Sequence, residues 1–393
     1  MGNRSVVVVG AGTVGLVTGI ALAQRGFDVT IVERQVAPAD GPRDMVYHWC
    51  VLPFFAELGM LEGMTRRGIV CTEYSWLVLA TGENLRLDLS ALGDVTERPF
   101  NLHVAQTAMA GVAADVLSGL PDARIEWGVD VTDIQQDQSG VTVNARRSDG
   151  EVVTYRADWV IGADGSHSVV RRSVGLSFAG VTWSKRLISC DLRFDLSTLG
   201  HSVASTQLDP AHGALIGKVD ATGLWRYTAA ENRTLPVEQV TQRALESITT
   251  ALGVEDPQIQ AVVPYRVHQR SADAFRVGRA ILVGDAAHLT NPTLAYGMLS
   301  GLFDARLLVD LLPAVDTLGD EVLDDYASER HRNFWGFTSP RSSSRMEFVF
   351  SPGSAAHLEE RVEHLREVTS SRDETRRYFL DDLDCESASP LEV

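Results

Sequence analysis

The sequence predicts an α/β fold: a Rossmann-type parallel sheet carrying a small meander, a mostly antiparallel sheet interleaved with it, and helices at the C-terminal end. Three stretches carry that prediction. Each is a glycine-containing turn behind an apolar, β-branched run: Gly10-Ala11-Gly12-Thr13-Val14-Gly15, Gly162-Ala163-Asp164-Gly165-Ser166 and Gly284-Asp285-Ala286-Ala287-His288. Taken singly, each is compatible with chance. In this order they describe one nucleotide held by segments remote in sequence.

The first element is Ser5 to Val9, Ser-Val-Val-Val-Val, a run suited to a buried parallel strand. Gly10, Gly12 and Gly15 follow in G-x-G-x-x-G spacing. Gly10 permits the tight turn, Gly12 lets the backbone approach a pyrophosphate, and Gly15 lets helix and strand pack closely. Leu16 to Arg25 is rich in Ala, Leu and Val and reads as a helix stopped by Gly26. Its N-terminus directs free N–H groups and the positive dipole end at phosphates. A second strand, Asp28 to Val32, ends at Glu33. A carboxylate about 20 residues beyond the glycines can accept from both ribose hydroxyls, and it repels a ribose 2′-phosphate. The site suits an unphosphorylated adenosine such as that of FAD or NAD; the alternative is a glycine-rich structural turn.

Residues 125–160 alternate in β fashion and read as a small meander. Asp158 to Ile161 is a further buried strand, running into Asp164-Gly165 before a short helix from Val169. That places a carboxylate at the carboxyl edge of a sheet, where ligands bind in open α/β folds, although Asp and Gly also serve ordinary left-handed turns. Arg279 to Val283 is a strand leading to Gly284-Asp285, a step that suits a carboxylate bonded to a ribityl or ribose hydroxyl. After Pro292, a helix starting near Gly297-Met298 offers its N–H groups to a developing anion, such as the N1–C2=O edge of a reduced flavin.

In order and spacing, these motifs resemble the single-component, group A FAD-dependent aromatic hydroxylases related to para-hydroxybenzoate hydroxylase, from Val6 to about Leu312. The resemblance implies that Gly10, Ala11, Gly12, Thr13, Val14, Gly15, Glu33 and Arg34 hold the ADP half of FAD. It implies that Asp164 and Gly165 serve both FAD and NAD(P)H, and that Gly284 and Asp285 take the ribityl chain and pyrophosphate. Arg43 and Gln106 reach the pyrophosphate region, and Val131, Pro292, Gly297 and Met298 complete the cofactor set. FAD is expected tightly bound but non-covalent, with NAD(P)H a transient co-substrate. The expected partners are O2 and an electron-rich phenolic or heteroaromatic small molecule, hydroxylated through a flavin C4a-hydroperoxide. The chain also departs from the family: Leu294, Ala295 and Tyr296 stand where glycines and a polar residue are usual, and Leu299 replaces an Asn. These changes narrow the space beside the flavin. They keep open another flavin oxidoreductase on the same fold (an epoxidase, an oxidase or an oxygen-independent reductase), and a non-catalytic flavin-binding protein is a third reading.

The expected organisation is a discontinuous FAD-binding domain at 1–70, 100–176 and 276–340, a substrate-binding domain at 71–99 and 177–275, and a C-terminal helical segment at 341–393. Alternation along Leu224 to Thr228 puts Trp225 and Tyr227 on one face and Arg226 on the other. The two aromatics are pocket candidates, with the sheet core as the alternative. His48 and Trp49 follow Arg43 at a place that the resemblance turns toward the flavin ring. His48 is the catalytic candidate, to orient or deprotonate a phenol, or else a hydrogen-bonded supporting residue. Tyr296 stacks near the ring or fills the pocket, and His288 reads as structural. Residues 320–335 and 355–380 read as helices, the latter with a packing stripe of Leu358, Val362 and Leu365. The serines at 342–344 read as a loop, and Asp381 to Val393 as a loose acidic tail.

Composition sets the outer bounds. The 393 residues are 45% hydrophobic and 22% charged, ordinary globular usage. A net charge of −17 argues against nucleic acid or an anionic membrane as partner. Cys50, Cys71, Cys190 and Cys385 lie far apart and form no C-x-x-C, as expected of reduced thiols in a cytoplasmic protein. No cluster has metal-ligand spacing, no signal peptide is evident, and no apolar run approaches the roughly 18 residues of a membrane span. Monomer and homodimer are both open.

Overall fold

The computed structural model describes residues 4–38, 46–220, 222–254, 256–389 and 391. Arg43 lies outside the described residues, so the expectation placed on it has no structural counterpart here.

The valine run forms the strand Ser5–Val9, with Val6 to Val9 all buried. It pairs in parallel with Asp28–Glu33 on one side and Trp159–Gly162 on the other. Such double coverage is what a continuous apolar run, with no polar alternation, requires. The six-stranded sheet has the order Arg276–Val277, Ala280–Leu282, Trp159–Gly162, Ser5–Val9, Asp28–Glu33, Ala123–Trp127. Helix Thr13–Gln24 begins at the glycine turn, three residues earlier than its composition indicated, and packs against helix Tyr296–Leu311.

The three glycine motifs meet. Gly10 has φ +107°, and a Cβ there would lie 2.4 Å from the Ala163 carbonyl oxygen. A Cβ on Gly15 would lie 2.0 Å from the Gly10 carbonyl oxygen, so helix and strand can approach only with glycine at that position. A Cβ on Gly301 would sit 2.8 Å from the Val14 side chain and 3.0 Å from Gly284 Cα, which brings the third motif against the first.

The meander is a three-stranded antiparallel sheet of Val129–Asp137, Gly140–Arg147 and Val152–Ala157. A separate eight-stranded sheet is spined by Phe178–Leu192 and Ile259–Ala272. Strands Glu73–Val78 and Glu83–Asp88, remote in sequence, join it through a parallel pairing of Glu73–Val78 with Ala204–Leu208. One face of this sheet buries Ile188, Cys190, Leu192, Trp225 and Tyr227 against the apolar side of helix Val240–Leu252. Its other face looks onto the cavity described below.

Two expectations for the C-terminal region are corrected. The serines at 342–344 lie inside helix Ser339–Phe350, not in a loop. Serine disfavours a helix only weakly, and burial of Met346, Val349 and Phe350 outweighs it. Pro340 falls in the first turn, where no intrahelical donor is lost. The acidic tail is also not loose: Asp381–Cys385 forms a helical turn in which Asp382 and Cys385 are buried. Helices Val322–Asn333, Ala355–Thr369 and Arg372–Leu380 form as expected, and Leu358, Val362 and Leu365 are buried. Among the described residues no helix is long and apolar enough to cross a membrane.

Candidate active site

A cavity of about 860 Å3 runs from the first glycine turn to the open face of the eight-stranded sheet. At the glycine end, helix Thr13–Gln24 starts without a side-chain cap, so its first-turn N–H groups have no side chain to satisfy them. Gly12 lines the cavity there, and a Cβ on it would meet no protein atom within 4 Å. The space is open to a ligand, not filled by packing. Glu33 ties the loop together: its Oε2 accepts from the Ala11 N–H at 2.9 Å and its Oε1 from the Gln35 N–H at 2.9 Å.

Asp164 accepts from the Val169 N–H at 2.6 Å and the Val170 N–H at 3.2 Å through one carboxylate oxygen. The other oxygen is buried without a partner. Burial dominates and raises this carboxyl above its ordinary range, although the hydrogen bonds from Ser168, Val170 and Val169 pull the other way. Gln106, at the start of helix Gln106–Leu117, also keeps a buried and unmet Oε1. Gly165, Asp285, Pro292, Gly297 and Met298 complete this part of the wall. An uncapped helix start, an open glycine and the unmet Gln106 acceptor on the cavity wall fit a dinucleotide that carries phosphates and hydroxyl donors. These residues therefore fit FAD. Arg34 is exposed and Val131 is packed in the main core, and neither is brought into the cavity wall; Gly10, Ala11, Gly15, Glu33, Asp164 and Gly284 shape the turns behind that wall without lining it.

Also on the cavity wall, beside the segment 292–298, His48 and Tyr296 converge on a residue that motif reading missed. His48 Nδ1 lies 3.1 Å from Asp382 Oδ2, and Nε2 lies 2.9 Å from the Leu294 carbonyl oxygen. The Tyr296 hydroxyl donates to Asp382 Oδ1 at 3.0 Å. Burial pulls the His48 pKa down, but Asp382 and the Leu294 carbonyl outweigh it, and the net shift is upward. Both ring nitrogens face acceptors, and the ring can donate to both when it is protonated. In this arrangement His48 has no free lone pair for a phenolic proton. Ala295 holds φ +55°, a left-handed conformation that disfavours any side chain by about 1–2 kcal/mol. Strain at this site coincides with the Leu294 carbonyl that binds His48.

His103, on the short strand Asn101–His103, was also missed and lines the same cavity. Burial depresses its pKa to about 4, so the ring is neutral near pH 7. Its Nδ1 faces the Lys218 carbonyl at 3.4 Å and must carry the proton, which leaves a buried Nε2 lone pair without a partner.

The pocket aromatics on strand Trp225–Asn232 are corrected. Trp225 and Tyr227 are buried in the core beneath the sheet, and Gln207 donates to the Tyr227 hydroxyl at 3.0 Å. The alternation was right but the face was inverted: Arg226 and Thr228 line the cavity, and Arg226 is held by Asp191 at 2.8 and 3.1 Å. Trp49 is likewise buried outside the cavity wall, with its N–H bonded to Asn101 Oδ1 at 2.8 Å. His288 is structural, as expected. Its Nε2 meets Asp304 Oδ2 at 2.7 Å, and Asp304 also accepts from Gly284 N–H at 2.9 Å and Arg330 Nε at 2.7 Å.

Comparison with known proteins places this architecture. The family described as FAD binding domain, FAD_binding_3, matches residues 3–339. The 6-hydroxy-3-succinoylpyridine 3-monooxygenase HspB of Pseudomonas putida is 36% identical over 379 residues, covering 95% of this chain and 96% of that protein. The para-nitrophenol 4-monooxygenase of a Pseudomonas species is 33% identical, covering 96% of this chain and 94% of that protein. The crystal structure of p-nitrophenol 4-monooxygenase PnpA from Pseudomonas putida DLL-E4 superimposes with a TM-score of 0.93 at 32% identity, covering 98% of each chain. At the level of fold alone, the flavin-dependent monooxygenase PieE in complex with FAD and substrate gives a TM-score of 0.78 at 22% identity.

Fold and site together define a flavin-dependent aromatic hydroxylase. The chain belongs to the FAD_binding_3 family and is an FAD-dependent monooxygenase.

Proposed function

We propose that the protein hydroxylates an electron-rich phenol or hydroxylated heteroaromatic at the expense of NAD(P)H and O2. The observation that carries the reading is one continuous cavity shared by the glycine turn and the open sheet face, with room for a substrate beside whatever the turn holds. The activities named for the two relatives, on a hydroxypyridine and a nitrophenol, support the same substrate class. When bound, FAD would supply the redox chemistry that couples oxidation of NAD(P)H to insertion of one oxygen atom of O2 into the ring, the other atom leaving as water.

The chain's own residues would do the rest. Gly10 to Gly15, Asp164-Gly165, Gln106, Asp285 and Gly297-Met298 hold the cofactor. Residues 71–99 and 177–275 supply the substrate layer, and the remainder up to about residue 340 the cofactor layer. His103 Nε2 accepts a hydrogen bond from the phenolic hydroxyl. It is too weak a base to remove that proton outright, so it orients the ring. His48, held between Asp382 and the Leu294 carbonyl, anchors the Leu294–Tyr296 turn beside the ring. Leu294, Ala295 and Leu215 keep water from the reacting face. The same proposal places the protein in the cytoplasm, on its four unpaired cysteines.

The test is the stoichiometry of NAD(P)H, O2 and hydroxylated product for the FAD-loaded protein across a panel of phenols and hydroxypyridines. One product per NAD(P)H and O2 supports the reading. Hydrogen peroxide in place of product with every compound refutes it.

A further inference from the structure

The cavity wall contains four cationic side chains among the described residues, and three have carboxylates. Arg226 is paired with Asp191, Arg341 with Asp381, and His48 with Asp382. Arg345 has none. It lies on helix Ser339–Phe350 one turn after Arg341 and is only 8% exposed. One terminal nitrogen donates to the Tyr378 hydroxyl at 2.8 Å. The guanidinium lies 5.2 Å from the centre of the Trp76 ring, and its Nε is buried with no partner at all.

A buried charge is tolerated when it is paired and hydrogen-bonded. Here two aromatic faces and one phenol hydroxyl are a partial substitute. Arginine is also the cation least able to shed its proton under burial. The shortfall is therefore one negative charge, in a planar group that can take two parallel N–H donors. Among ordinary metabolite groups, that is a carboxylate.

We propose that Arg345 is a specificity residue: it receives a carboxylate carried by the aromatic substrate, so the natural substrate is a hydroxylated aromatic acid. This rests on the hydroxylase reading and narrows it. The ring hydroxyl and the carboxylate sit at different parts of the molecule, the first at His103 and the second at Arg345. Neutral phenols of the same shape lack the group that completes the wall. A nitro group offers the same two oxygens without the net charge, and it is the discriminating comparison.

The experiment is a titration of the FAD-loaded enzyme, followed by perturbation of the flavin absorbance. The ligands are matched sets: phenols carrying a carboxylate on arms of increasing length, their methyl esters, and their nitro counterparts. Product formation is measured in parallel. The acid that fits should bind at least about tenfold more tightly than its ester or nitro counterpart. Arg345→Met should weaken that acid about 10- to 100-fold while leaving esters within about threefold, and Arg345→Lys should keep part of the preference. Equal binding of acids and neutral counterparts overturns the proposal, as does an Arg345→Met variant that weakens all ligands alike, which is the mark of a packing role. Failure of every acid to bind also overturns it. Neutral phenols hydroxylated without acid preference leave the hydroxylase reading intact and remove this one. Arg345-dependent binding of an acid with no product does the reverse.

Discussion

Two buried polar clusters, built from the same residue types, differ in how their charges are paired. Around Asp304, each charge has its counterpart, and His288 Nδ1 is the one ring nitrogen left without a partner. Arg330 spends its donors on Asp304, the Ser300 hydroxyl and carbonyl, the Cys385 carbonyl and the Ser387 hydroxyl, and both Asp304 and Arg330 are fully buried. Around the cavity, Arg345 Nε, His103 Nε2 and Gln106 Oε1 are buried and unmet. The Asp304 network holds the third glycine motif in place through Gly284 and His288. The cavity cluster leaves an arginine without a carboxylate, which is where another molecule can complete it. The burial is similar; the pairing of charge separates scaffold from site.

The sharpest way to break this contrast is to remove one arginine from each cluster. Arg330→Met leaves the Asp304 carboxylate buried beside His288 alone and should destabilise the folded protein by about 3–5 kcal/mol in urea denaturation. Arg345→Met removes a cation with no carboxylate and should leave unliganded stability unchanged or slightly higher. Equal losses would erase the distinction. Asp304 adds a pH signature. Burial alone raises its pKa, but His288 and Arg330 outweigh that and hold it below the ordinary carboxylate range. Its contribution is thus present above the unfolded value of roughly 3.9 and is lost as pH falls through the depressed folded value.

A second comparison is between two glycines of one turn. Gly15→Ala puts a methyl 2.0 Å from the Gly10 oxygen and should cost about 1–3 kcal/mol together with retained FAD. Gly12→Ala meets no protein atom, so stability of the FAD-free protein should hold within about 0.5 kcal/mol while FAD binding weakens. Calorimetric melting with and without FAD separates the two.

His48 gives a smaller effect. Its pKa is raised in the fold, so the charged pair with Asp382 stabilises fully below the unfolded value of roughly 6.5 and is lost as pH rises through the higher folded value. Asp382→Asn should lower the His48 titration midpoint, read by NMR, and flatten the melting temperature across that window. Smallest of all, Tyr227→Phe should cost about 1 kcal/mol through its bond with Gln207 and leave ligand affinity untouched, whereas Thr228→Val, on the cavity face, should change affinity.

The cofactor end was legible because its constraints are local. A turn with positive φ at Gly10, close approach at Gly15 and an acid at the end of the next strand all fall within one strand–helix–strand unit, with Glu33 only 22 positions from the Ala11 it binds. The substrate end was not. Alternation along Trp225 to Thr228 shows that two faces exist, but only the position of helix Val240–Leu252 decides which one is covered. Asp382 and His48 are separated by 334 positions, and no spacing rule connects them. Arg345 lies in a serine-rich stretch that reads as a loop until Met346, Val349 and Phe350 are seen to be buried.

That separation has a kinetic consequence. The contact between His48 and Asp382 closes a loop spanning most of the polypeptide, so the pocket cannot be finished by any early, local folding event. A chain interrupted between helix Tyr296–Leu311 and Asp382 would still own its glycine turns yet lack one side of the reaction chamber. Competence for chemistry should therefore trail behind the regain of helical signal when the denatured enzyme is returned to native buffer.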